Sequence, residues 1–151
     1  MMRRSQQGVT LIELVVAITI VAIAATTIMA TMSAVASRSA DAMLQQQAIA
    51  VGQAYLDEIL QRSVVDPNGN PPYAGRSTWN LVDNYNGLND IGAKDQFGNS
   101  IASLSAYNVS VSVVQSAALT GVPSGSTRRI DVTVTRSPNV NVTLSGYRTN
   151  Y

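Results

Sequence analysis

The sequence predicts an α+β fold, in which a long N-terminal helix packs on a small antiparallel β-sheet, and three features predict it. An uncharged apolar run extends for twenty-four residues from Leu14 to Ser37. An amphipathic helical stripe follows, and no proline occurs before Pro67 to break the helix between them. The last third of the chain holds three stretches in which apolar and polar residues alternate strictly.

The first element is the apolar run, residues 9–37. As a helix, its uncharged part rises ~36 Å, against ~30 Å for the hydrocarbon core of a bilayer. Thirteen of its twenty-four uncharged residues are Ala, Ser or Thr. Small side chains let helix backbones approach closely where lipid supplies no hydrophobic drive. Ala22, Thr26, Ala30 and Ala34 form such a row at spacing four. The row suits helices packed in a filament core, and it equally suits a mildly hydrophobic membrane span.

The second element is residues 38–62. Leu44, Ala48, Val51, Tyr55 and Ile59 recur at helical spacing, Leu56 and Leu60 widen the stripe, and Gln45, Gln46, Gln53, Asp57 and Gln61 lie off it. One continuous helix from Val9 to about Arg62 is expected, ~80 Å long. Gly52 interrupts the stripe at a cost of roughly 1 kcal/mol relative to Ala.

Residues 63–151 form the expected head. From Val64 to Ser100 the sequence reads as irregular, with Asp66-Pro67-Asn68-Gly69-Asn70-Pro71-Pro72, Asn86-Gly87 and Gly98-Asn99 as turn formers. Trp79, Leu81, Val82, Tyr85 and Leu88 are the expected anchors of this loop. Three strands follow, led by the alternations Tyr107-Val109-Val111-Val113, Ile130-Val132-Val134 and Val140-Val142-Leu144. They predict a three-stranded meander with its valine face on the helix stripe and its Thr/Ser/Asn face toward water.

Composition excludes several functions. The chain contains neither Cys nor His, which removes disulfides, thiol catalysis and the commonest zinc ligands. Ten cations stand against nine anions, with no basic stripe suited to nucleic acid. No phosphate loop, activated serine or acid/base pair is visible, so no catalytic residue, metal site or cofactor is expected. All eight aromatic residues lie after Ala54, which separates an N-terminal helix suited to lipid from a head that folds in water.

The N-terminal pattern is the most specific. Arg3 and Arg4 precede Ser5-Gln6-Gln7-Gly8, and then comes Val9-Thr10-Leu11-Ile12-Glu13-Leu14. A carboxylate costs roughly 2.5–3.5 kcal/mol at the centre of a membrane helix. Glu13 at the edge of the run therefore suggests a task. A secretory signal peptide ending at Ala34-Val35-Ala36 would have an apolar stretch far beyond the usual ~7–15 residues. A plain anchor would not explain the Gly8/Glu13 spacing, and the residues after Arg3-Arg4 do not fit a twin-arginine signal. Gly8, Thr10, Leu11, Ile12, Glu13 and Leu14 behind a short basic leader resemble the class III signal of type IV pilins and type II secretion pseudopilins. The resemblance implies a leader of residues 1–8, removed by a prepilin peptidase between Gly8 and Val9, with N-methylation of Val9, where the family usually has Phe or Met. It further implies that Glu13 meets the N-terminal amine of an adjacent subunit during filament assembly.

Beyond the helix, Arg38-Ser39-Ala40-Asp41-Ala42-Met43, Val82-Asp83-Asn84-Tyr85-Asn86-Gly87-Leu88 and Arg128-Arg129-Ile130-Asp131 resemble D-type minor pilins of the mannose-sensitive haemagglutinin (MSHA) pilus. What this resemblance implies is a non-enzymatic, low-abundance subunit that primes or caps a pilus. Its partners would be major and minor pilins, the prepilin peptidase, the inner-membrane platform and its ATPase. Its precursor would sit in a bacterial inner membrane with the head in the periplasm, and the mature chain in a surface pilus. A different class of function, an adhesin or ligand-binding head on a pilin stem, draws on Trp79 with Tyr73, Tyr85, Phe97 and Tyr107. Asp66-x-Asn68-x-Asn70 begins like an EF-hand loop, but Pro71 occupies the position of its glycine. Turn formation accounts better for it and for Asp83, Asn86, Asp90 and Asp95. The sequons at Asn108 and Asn141 fall inside expected strands and are read as chance.

Overall fold

A computed structural model describes residues 8–66, 69 and 75–150. Helix α1 runs Leu11–Leu60, and four strands follow: β1 Asn89–Asp90, β2 Asn108–Gln115, β3 Thr127–Arg136 and β4 Val140–Thr149. The chain divides after Ala40 into two compact units, Met1–Ala40 and Asp41–Tyr151. The expected helix, Val9 to about Arg62, is thus two residues shorter at each end.

In the second unit the strands form one antiparallel sheet in the order β1-β2-β3-β4. The expected meander is β2–β4, and β1 is the addition. With two residues, opposite Ser110 and Val109, β1 is too short to leave an alternating pattern. The core is formed by Ala48, Val51, Tyr55, Leu56 and Ile59 of α1 against Val109, Val111, Val113, Ile130, Val132, Val134 and Val140 of the sheet, with Leu44, Leu60, Val142 and Leu144 packed at its margin. Full burial of each such side chain is worth roughly 1.5–3 kcal/mol.

Helix and sheet approach closely where each supplies a glycine. A Cβ on Gly52 would lie 3.0 Å from Leu144 Cδ1 and 3.3 Å from Val134 Cγ2; one on Gly146 would lie 3.0 Å from Leu56 Cδ1. Gly52 therefore makes room for β4, which the helix stripe alone does not reveal. At the end of α1, Arg62 N–H bonds Ile59 O at 3.0 Å, and Arg148 Nε of β4 donates to Arg62 O at 3.1 Å. A cation there opposes the negative end of the helix dipole.

The long connection between α1 and β2 holds short 3₁₀ turns at Arg76–Thr78, Val82–Tyr85 and Ala102–Leu104 as well as β1. Of its expected anchors, Val82 and Tyr85 are fully buried, Trp79 and Leu88 pack against the core half-exposed, and Leu81 is half-buried. A buried ion cluster fastens the connection to α1. Arg76 is 8% exposed and Asp90 3%. Arg76 Nη1 donates to Asp90 Oδ2 at 2.7 Å, and its Nη2 donates to Glu58 Oε2 at 3.0 Å. Its guanidinium carbon lies 4.7 Å from the centroid of the Tyr55 ring. Tyr55 Oη donates to Asp90 Oδ2 at 2.9 Å and accepts Lys94 N–H at 2.7 Å, while Tyr85 Oη donates to Glu58 Oε1 at 2.7 Å. Lys94 Nζ completes the cluster 3.3 Å from Asp90 Oδ1. Two cations thus face two anions, and buried charge is matched. Burial first, then the Glu58 carboxylate, push the Tyr85 hydroxyl up to about 12, and burial chiefly raises Tyr55 as well. Burial opposes the charge of Arg76, but its bonds to Glu58 and Tyr55 outweigh that and hold the guanidinium charged.

Candidate functional site: the N-terminal helix

Among its described residues the first unit has no core of its own. From Gly8 to Ala36 every residue is exposed, with Leu11 at 84% and Met29 at 74%. Its helix is long and apolar enough to cross a membrane, and none of the most apolar stretch is buried within the chain. Soluble monomers rarely expose contiguous apolar patches of more than a few hundred Å². This surface is suited to lipid or to other helices.

The backbone and hydroxyl groups of the segment fit such surroundings. Thr19 Oγ1 donates to Val16 O at 2.8 Å, Thr26 and Thr27 donate to Ile23 O at 2.9 and 2.8 Å, and Thr31 donates to Ile28 O at 2.8 Å. Bonded to carbonyls of the preceding turn, these hydroxyls need no water, so the helix tolerates four threonines in an apolar medium. Ala22, Thr26, Ala30 and Ala34 lie on α1, all exposed. At ~100° per residue their row winds about a third of the way round the helix, as an i±4n ridge does; two such ridges pack at about −50°. Leu14, Ala17, Ile18, Val21, Ala22 and Ala25 line an apolar groove that shares Ala22 with the row.

Gly8 and Val9 precede the helix, and Glu13 is its third residue. Thr10 caps it. The N–H of Glu13 donates to Thr10 Oγ1 at 3.4 Å, and the N–H of Leu14 donates to Thr10 O at 3.2 Å. This is one arm of a capping box, whose Thr-x-x-Glu spacing is visible in the chain. A carboxylate in the first turn also faces the positive end of the helix dipole. Glu13 thus stands where a negative charge is locally favoured, one turn from the proposed new amino terminus. The basic leader, Arg3 and Arg4 included, and the side chain of Arg38 lie outside the described residues.

Residues 3–35 match the prokaryotic N-terminal methylation motif. The motif spans Gly8, Val9, Glu13 and the row from Ala22 to Ala34, and it supports a type IV pilin-like structural subunit, processed by a prepilin peptidase and anchored by its apolar N-terminal helix. The α+β architecture of the head is consistent with the pilin fold. No curated protein and no solved structure matches the chain.

The head residues weighed for cation or ligand binding have other partners. Asp83 binds Arg128 in a fork at 2.7 and 2.9 Å. Asn86 Oδ1 accepts Val113 N–H at 3.0 Å. Asp95 accepts the N–H groups of Phe97 and Asn99 and the Asn99 side-chain amide, a set of bonds, led by Asn99, that lowers its pKa below the usual carboxylate range. Among the described residues no group of three Asp or Glu side chains is placed to hold a metal ion. Asn68, Asn70 and Pro71 lie outside them. Of the aromatic residues considered for a binding face, Tyr85 and Tyr107 are core, Trp79 meets Tyr85 edge-on at 4.9 Å, Phe97 is exposed, and Tyr73 is not described. They do not form one exposed platform. Within the head, sequence reasoning missed the Arg76 cluster, whose members carry no local spacing signal.

Proposed function

We propose that the chain is a minor pilin of MSHA type, or a pseudopilin, a structural subunit that helps prime or cap a filament at a bacterial inner membrane. The observation that carries this reading is the N-terminal methylation motif on a bare apolar helix. Cleavage after Gly8 exposes the Val9 amine, which is then methylated. The head faces the periplasm before assembly and the cell surface afterwards. The capped start of α1 holds Glu13 where it pairs with the amine of an adjacent subunit. Two isolated charges in an apolar filament core are costly, and pairing them favours one register over others. The Ala22, Thr26, Ala30 and Ala34 ridge lets neighbouring helices pack closely. Major and minor pilins, the assembly platform and its ATPase are the partners of such a subunit. Mass spectrometry of the mature N-terminus tests the reading: it expects N-methylated Val9, and a chain beginning at Ser37 or retaining Met1 refutes it.

A further inference from the structure

Within the head, a cavity lies between α1 and the connection. Val51 and Ala54 of the helix line one side, and Ala93, Ile101 and Leu104 the other. Backbone bonds fix the second wall: Ile101 N–H donates to Ala93 O at 3.0 Å, and Ala93 N–H to Leu104 O at 3.2 Å. The cavity is therefore preformed, and it holds about 170 Å³. Small-molecule sites measure roughly 300–1,000 Å³. This one is too small for a cofactor or metabolite and suits a single aliphatic side chain. Glu58, Asp95 and Gln96 at its mouth also line a wider groove, which Asp57 and Arg62 extend. Beside them Phe97 stands on a tight turn. Asp95 Oδ1 accepts the N–H groups of Phe97 and Asn99 at 2.9 and 2.8 Å, and Gly98 N–H donates to Asp95 O at 2.9 Å. Phe97 is nonetheless 60% exposed. A large aromatic side chain on a fixed backbone, unburied in its own chain, is the kind of residue that anchors interfaces.

We propose that the cavity, its groove and Phe97 form a docking surface for another protein, whose contacting segment places one aliphatic side chain in the cavity and an adjacent lysine or arginine against Asp57 and Asp95. Charge selects the cation. Glu58 is committed to Arg76 and Tyr85, and Lys94 to Asp90. Arg62 is half-buried and bonded to the Tyr85 hydroxyl. The Asp57 carboxylate accepts the Gln53 amide at 2.8 Å, and that of Asp95 accepts only amide groups. Among the described residues neither forms an ion pair. With the buried cluster behind the groove, the four anions Asp57, Glu58, Asp90 and Asp95 stand against the three cations Arg62, Arg76 and Lys94, and the anions at the rim are the unpaired ones. No group of three carboxylates among the described residues is placed to hold a metal ion, so a side-chain cation is the complement. Complementary charge of this kind sets partner choice and register more than raw affinity. The surface belongs to the head alone and does not rest on the filament reading.

The test places the photo-cross-linking residue p-benzoylphenylalanine at position 97 of the full chain, in the cells that make it. Illumination is expected to yield an adduct with a protein, and mass spectrometry to locate the attachment on a segment in which an aliphatic residue adjoins Lys or Arg. Asp57→Lys reverses the charge at the rim, and Ala54→Leu fills the mouth of the cavity. Both positions are exposed on α1, so the fold accommodates either change. Each is expected to lower the adduct yield roughly tenfold. The same residue at position 112, exposed on the opposite face of the sheet from α1, is expected to give no such adduct. An unchanged yield in either variant, a yield no higher than at position 112, or attachment to a segment without that pair, to a lipid or to a polysaccharide overturns the proposal. The readout lies on the head, so its outcome is separate from whether Val9 is methylated.

Discussion

Replacing Arg76 with methionine keeps the apolar stem and removes the charge that joins α1 to the connection. The side chain is 6% exposed, and its partners Glu58 and Asp90 are 13% and 5% exposed, so solvent does little to screen the loss. Breaking a buried pair by removing one partner costs about 3–5 kcal/mol, because the remaining charge stays buried and unmatched. Here Lys94 and Tyr55 still serve Asp90, and Tyr85 still serves Glu58. The lower end, about 3 kcal/mol, is therefore expected. At about 4 °C per kcal/mol for a unit of this size, the melting temperature of the head should fall by about 12 °C. The assay is thermal and urea unfolding of the full chain in detergent, followed by tyrosine and tryptophan fluorescence. Adding Glu58→Gln should recover part of the loss, with a coupling energy of about 1–3 kcal/mol in the double-mutant cycle. A loss below about 1 kcal/mol, or strict additivity, would refute the reasoning.

Gly52→Ala gains about 1 kcal/mol of helix propensity but presses a methyl against Leu144 and Val134, where overpacking costs about 1–3 kcal/mol; a small net destabilisation by urea unfolding is expected. Gly146→Ala presses on Leu56 without the helix gain, so its loss should be the larger of the two. The Tyr85 hydroxyl holds its proton more tightly folded than unfolded, at about 12 against 10.0. Its stabilising contribution is whole below pH 10 and is lost as pH rises toward 12; in Tyr85→Phe that alkaline decline should be shallower in equilibrium unfolding. Glu13→Ala should leave the protein processed and membrane-inserted but deplete it from sheared filaments, and unchanged incorporation on immunoblots would contradict the proposed pairing.

Period and spacing made the large elements legible. Leu44 to Leu60 repeat at helical intervals because one face meets the sheet, and β2, β3 and β4 alternate because one face meets the helix. The ends of α1 were legible only to within two residues, since capping by Thr10 and by Arg148 depends on atoms far finer than the hydrophobic period. β1 carries no pattern at all. Gly52 read as a local weakness because its partner, Leu144, is brought to it by the fold. At the N-terminus the opposite holds. Gly8, Thr10 and Glu13 are neighbours in the chain, so their spacing alone carried the signal that the methylation motif matches.

The Arg76 cluster also bears on how a small head without cysteine orders so long a connection. Small domains that lack disulfides depend on every buried contact, because the core they can form is limited. A lysine at position 76 could not reproduce these contacts. The planar guanidinium sends Nη1 to Asp90 and both Nε and Nη2 to Glu58 while stacking on Tyr55, whereas an ammonium is a point charge without that fork. The cluster thereby ties three segments at once: α1 through Tyr55 and Glu58, the first 3₁₀ turn through Arg76, and β1 through Asp90. Since β1 covers one edge of the sheet, the same charges that hold the connection down also keep that edge closed.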